Sequence, residues 1–93
     1  MNTPSFNKYI RNNPKWSSSM IFHIGKGVSN APIMEIKENK PFDTGVAVNQ
    51  NDAVRVLSKE FRKLGKNTYA LVKTTSGNVI QGHLNISHIQ NPL

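Results

Sequence analysis

Residues 51–66 read NDAVRVLSKEFRKLGK, and whether this stretch coils or extends decides the fold. Ala53, Leu57, Phe61 and Leu64 recur at spacings of three and four, with Val54 at the margin. At about 100° per residue they converge on one face, as the core side of a helix does. Asn51 or Asp52 offers an N-terminal cap, and Gly65 stands where a left-handed residue is wanted after the last turn. Lys63 and Lys66 suit the negative end of the helix dipole. The spacing predicts an amphipathic helix over residues 52–64.

On that helix Arg55, Lys59, Arg62 and Lys66 are separated by four, three and four residues. They would fall within about 60° of one another, on the side away from the apolar residues. The stripe would be about 16 Å long, which matches several phosphate spacings on a nucleic-acid strand. Lys63 broadens one edge, and Glu60 lies away from it, so no acid is placed to pair along the stripe. Solvation alone also puts charge on a helix face, and lysine is a good helix former. A polyanion surface and an ordinary wet face both fit.

Upstream, Thr3-Pro4-Ser5 precedes Phe6, Tyr9 and Ile10 at helical spacing, and Asn12-Asn13-Pro14 ends the run. This reads as a short helix or a basic arm over residues 1–16. Residues 17–24, with Met20, Ile21, Phe22 and Ile24, read as a strand that Gly25-Lys26-Gly27 terminates. A second strand follows at residues 31–36, then an exposed loop closed by Pro41, then a shorter strand at residues 44–48. Downstream, residues 68–74 and 79–86 flank Thr75-Ser76-Gly77-Asn78, the pattern of a β-hairpin. The expected order is β-β-β-α-β-β: one α+β domain over residues 17–90, an antiparallel sheet carrying one amphipathic helix. The alternative is a barrel. If residues 53–57 form a strand, then Tyr69-Ala70-Leu71-Val72 followed by Gly82 and Ile86 resembles the later strands of an Src-homology-3-like fold, which closes with a short helical turn and a final strand. Phe61 and Leu64 would then fall in a charged loop with no packing role.

A chain of 93 residues, 37% hydrophobic, supports a single core. Cysteine is absent, which excludes disulfides, thiolate metal sites and cysteine nucleophiles. No apolar run approaches the roughly 18 to 20 residues of a membrane span, and residues 1–15 hold no signal-type core, so a cytoplasmic protein without membrane contact is expected. Twelve Lys and Arg against five Asp and Glu give a net charge of +7. Its distribution says more than its total. Lys8, Arg11, Lys15 and Lys26 lie in an acid-free N-terminal quarter, residues 27–51 hold Lys37 and Lys40 against Glu35, Glu38 and Asp43, and residues 52–66 are again basic. Beyond them only Lys73 adds charge. Trp16 beside Lys15, and Tyr9 between Lys8 and Arg11, are the rings best placed to stack on bases.

Catalysis finds little support. His83 and His88 are five apart, and on a continuous strand they point to opposite faces. Glu35 and Glu38 have no histidine at metal-ligand spacing. Gly25-Lys26-Gly27 resembles a phosphate-binding turn but lacks the full phosphate-loop pattern. No enzyme activity, metal or cofactor is expected.

No stretch carries a family signature. The helix and hairpin of residues 52–86 are similar to part of the double-stranded-RNA-binding domain, but nothing after Ile89 makes its last helix. In composition the chain resembles the small basic accessory proteins of large tailed phages, a resemblance that implies an inhibitor of a host factor. Two functions are therefore expected of the chain. One is a non-enzymatic module binding RNA, or less readily DNA, through Arg55, Lys59, Arg62, Lys63 and Lys66, extended by Lys8, Arg11, Lys15, Trp16 and Lys26. The other is a phage-type inhibitor or adaptor docked on an acidic host protein such as a toxin or ribonuclease, with RNA assisting. Neither the target's sequence nor the oligomeric state is legible.

Overall fold

The computed structural model describes Ile10, residues 12–18 and residues 20–90. The architecture is all-β: β1 (Ile21–His23), β2 (Ala31–Lys37), β3 (Lys40–Val48), β4 (Ala53–Val56), β5 (Arg62–Leu64), β6 (Asn67–Thr74) and β7 (Gln81–Asn85), then a short 3-10 turn (Ile86–His88). The strands form one antiparallel sheet in the order β1-β4-β6-β7-β2-β3, with β5 paired to β6 off that path. After the 3-10 turn the chain returns beside the end of β1. Ile24 and Ile89 form a bridge there, Gly25 N–H donates to the His88 carbonyl, and Gln90 N–H donates to the carbonyl of His23.

The predicted helix over residues 52–64 is not formed, and with it falls the α+β assignment. Val54 and Val56 are both fully buried. On a helix, residues two apart lie about 200° apart, so one of the pair would face solvent, whereas on a strand they share a face. Two β-branched residues at that spacing make β4, and Arg55 projects to the opposite side. The supposed cap works elsewhere. The Asp52 carboxylate accepts the N–H of Asn49, closing a turn in which Asn51 has φ of 80°. Gly65, at φ of 60°, turns the β5–β6 hairpin instead of ending a helix. The helical spacing of Leu57, Phe61 and Leu64 arises from three separate sites: the end of β4, a loop where Phe61 packs on the core, and β5.

The other expected strands are present with shifted ends. The expected loop at residues 37–40 is instead a tight hairpin, with Glu38 and Asn39 both left-handed, so β3 begins at Lys40 and runs through Pro41. The predicted β6–β7 hairpin is formed. Its loop is tied by Thr74, whose hydroxyl donates to the Asn78 carbonyl and accepts the N–H of Ile80, which satisfies a buried polar group. Of the N-terminal stretch read as an arm or short helix, Ile10 is fully buried in the core and Trp16 packs against it. Phe6 and Tyr9 lie outside the described residues.

The core gathers one face of each strand: Phe22 of β1, Ile33 of β2, Val54 and Val56 of β4, Ala70 and Val72 of β6 and Leu84 of β7, closed by Ile24, Ile86 and Ile89. The opposite face of β1, β4, β6 and β7 carries a mixture of apolar, polar and charged side chains, among them Ile21, Arg55, Leu71, Lys73 and Gln81. Among the described residues no helix is long and apolar enough to cross a membrane.

Candidate nucleic-acid interface

The pairing of the strands brings together cations that the sequence holds far apart. Ile21 of β1 lies opposite Arg55 of β4, Arg55 opposite Lys73 of β6, and Lys73 opposite Gln81 of β7. These four residues form one row across the outer face, about 14 Å wide at the usual spacing of strands. They make the floor of an open groove of about 750 Å³, with Ser18 and Leu57 toward one end and Thr75 and Val79 toward the other. Among the described residues no acid lines it. The Thr75 hydroxyl donates to the Ala53 carbonyl and so fixes the β6–β7 loop against β4.

Arg55 and Lys73 are direct cross-strand neighbours, a placement of like charges that sheets generally disfavour. The acids lie elsewhere. Glu35, Glu38 and Asp43 belong to the β2–β3 hairpin, where Glu35 pairs with Lys37 at 3.3 Å. Asp52 is engaged in its turn, and Glu60 stands in the loop before β5.

The other predicted cations scatter, since no helix exists to align them. Lys59 lies in the loop after β4, where its ammonium donates to the Asn13 carbonyl at 3.2 Å and sits 5.9 Å from the centre of the Trp16 ring. Trp16 is thus half-buried beneath Lys59, with its Nε1 buried and lacking a partner among the described residues. Lys59 and Trp16, both predicted to meet nucleic acid, meet each other. Arg62 opens β5 opposite Tyr69 and donates to Asn39 Oδ1 at the tip of the β2–β3 hairpin. Lys63 and Lys66 are exposed on the β5–β6 hairpin, Lys15 is exposed beside Trp16, and Lys26 is exposed in the loop after β1. Lys8 and Arg11 lie outside the described residues. Of the predicted residues that the structure describes, Arg55 alone lines the groove, and Lys73 joins it without having been predicted.

His83 and His88 sit in different elements. His83 lies on β7 between Leu71 of β6 and Met34 of β2, whereas His88 closes the 3-10 turn. Burial lowers the pKa of each below the ordinary value, and the nearby Arg62 charge lowers that of His83 further. Among the described residues no three metal-ligating side chains converge. The lowered values have a consequence for stability. Below about pH 6.5 the unfolded chain takes up protons that the folded chain resists, so the unfolded state binds more and stability falls as the solution is acidified. Urea midpoints taken at pH 7.5 and 5.5 are expected to drop at the lower pH, and His83→Gln/His88→Gln is expected to flatten that dependence; an equally steep drop in the double variant would rule out these two groups as its source.

Comparison of the chain with known protein families, with curated proteins and with solved structures finds no match.

Proposed function

We propose that the protein binds nucleic acid, RNA before DNA, without catalysing a reaction, and that phosphates seat in the groove over Arg55 and Lys73. The observation that carries this reading is the like-charged cross-strand pair on the floor of an acid-free groove. A sheet tolerates such a pair at some cost, and a bound phosphate turns that cost into attraction. Ser18 and Gln81 beside the pair add neutral donors suited to phosphate oxygens. Arg62 extends the charge along the same face: it stands beside Tyr69, which lies four residues before Lys73 on β6, about 13 Å along the strand. Among the described residues no aromatic ring lines the groove, which favours contact with the backbone over stacking.

If about three phosphates are neutralised on a single strand, affinity falls roughly 20-fold between 50 and 200 mM salt. Titration of short single-stranded RNA and DNA at these two ionic strengths tests this, and tight binding indifferent to salt would exclude it. Purification from the natural host with and without nuclease provides a second check: a stoichiometric protein that stays bound after nuclease treatment would replace nucleic acid with an acidic protein partner.

A further inference from the structure

A second recess lies next to the groove on the same face. His23 is two residues beyond Ile21 on β1, so both side chains leave the same side of the strand about 6.6 Å apart. Ile21 lines the groove, and His23 lines a cleft of about 380 Å³ together with Ile24, Lys26, Gln50, Asn51 and Gln90. The volume lies at the lower end of ligand-sized pockets, roughly 300–1,000 Å³. Three carboxamides, an imidazole and an ammonium line it, and among the described residues no carboxylate does.

The cleft is held in shape from both sides. Gly27 N–H donates to Gln50 Oε1 at 2.9 Å, and Gln50 N–H donates to the Val28 carbonyl at 2.9 Å, which locks the loop after β1 to the turn before β4. Asn30 N–H donates to Asn49 Oδ1 and reinforces the same junction. Because Gln50 Oε1 already accepts the Gly27 N–H, the Gln50 amide offers the cleft chiefly its NH₂ group, a donor. Lys26 also only donates, while Asn51 and Gln90 bring one carbonyl and one NH₂ each. Donors therefore exceed acceptors.

We propose that this cleft receives an unstacked base of the strand whose phosphates lie in the groove, and that it selects bases presenting carbonyl oxygens, uracil above adenine. The proposal rests on the nucleic-acid reading above and extends it from backbone to base. A splayed base of a single strand offers its edge for hydrogen bonding, which a paired base does not. Uracil presents two carbonyl oxygens for one N–H on its pairing edge, whereas adenine presents one ring-nitrogen acceptor and one amino donor there, so a donor-rich wall matches uracil at more positions.

The test compares short oligouridylate and oligoadenylate by fluorescence anisotropy at low salt, for the wild-type protein and two variants. Lys26→Ala/Asn51→Gly empties part of the cleft. Glycine suits position 51 because φ there is 80°, and a thermal melt checks that the variant is folded. Lys73→Glu weakens the groove alone. The wild type is expected to prefer oligouridylate roughly tenfold, in keeping with one good base contact. The cleft variant is expected to bring that ratio close to one, and Lys73→Glu to weaken both oligomers while leaving the ratio unchanged. Equal affinities in the wild type, or an unchanged ratio in the folded cleft variant, would overturn the base pocket while leaving the phosphate groove standing. Absence of binding to either oligomer would overturn both.

Discussion

A Gly82→Ala variant is expected to lose about 3 kcal/mol of stability, at the upper end of what overpacking costs. A methyl group built at this position would meet Ile33 Cγ2 at 2.5 Å and the Met34 carbonyl oxygen at 2.9 Å. Neither neighbour yields readily. Ile33 is fully buried, and Met34 belongs to the backbone of β2 where it meets β7 across the Met34–His83 pair. Relief requires β2 to withdraw from β7, and with it the β2–β3 hairpin that reaches the rest of the sheet through this seam. Gly77→Ala serves as the control. Its added methyl meets nothing within 4 Å, and only the left-handed φ of 65° is strained, at a cost of about 1–2 kcal/mol. Urea denaturation should show a lower midpoint for both variants at constant slope, with Gly82→Ala clearly the lower. A loss at Gly82 smaller than that at Gly77 would mean that β2 and β7 are not so closely apposed.

How much of this was legible in the sequence follows from how local each feature is. The β6–β7 hairpin was, because Thr75-Ser76-Gly77-Asn78 interrupts two apolar runs and its strands are neighbours in the chain. Residues 31–36 were legible as a strand for a similar reason. The stretch at residues 51–66 misled because apolar residues serving β4, a loop and β5 stand by coincidence at helical intervals. The signal that outranks them is short: Val54 and Val56, β-branched and two apart, and both buried. Charge misled in the same way. A helix would have collected Arg55, Lys59, Arg62 and Lys66, and the strand geometry disperses them. Lys73 stood alone in the sequence and gave no cluster to notice. The alternation of β6 marks it as outward-facing, but its juxtaposition with Arg55, eighteen positions away, is a product of strand register, which no local pattern encodes.

Lys73→Glu is expected to move stability and binding in opposite directions. Opposite Arg55, a glutamate replaces a repulsive cross-strand pair with an attractive one, so the variant should be more stable by about 0.2–1 kcal/mol. The side chain at position 73 is exposed, which keeps the gain small and sensitive to salt. Binding should suffer far more. The substitution changes the groove by two units of charge and sets a carboxylate opposite Arg55 that competes with phosphate, so affinity for short RNA should fall at least about tenfold and the dependence on salt should become shallower. An ordinary solvated surface predicts the same rise in stability with no loss of binding, and a purely structural role for Lys73 predicts a fall in stability. Thermal melts and RNA titrations of one variant therefore separate three accounts of the groove. The combination of a higher melting temperature and lost affinity belongs only to a surface that keeps its cations adjacent, at some expense in stability, for an anionic partner.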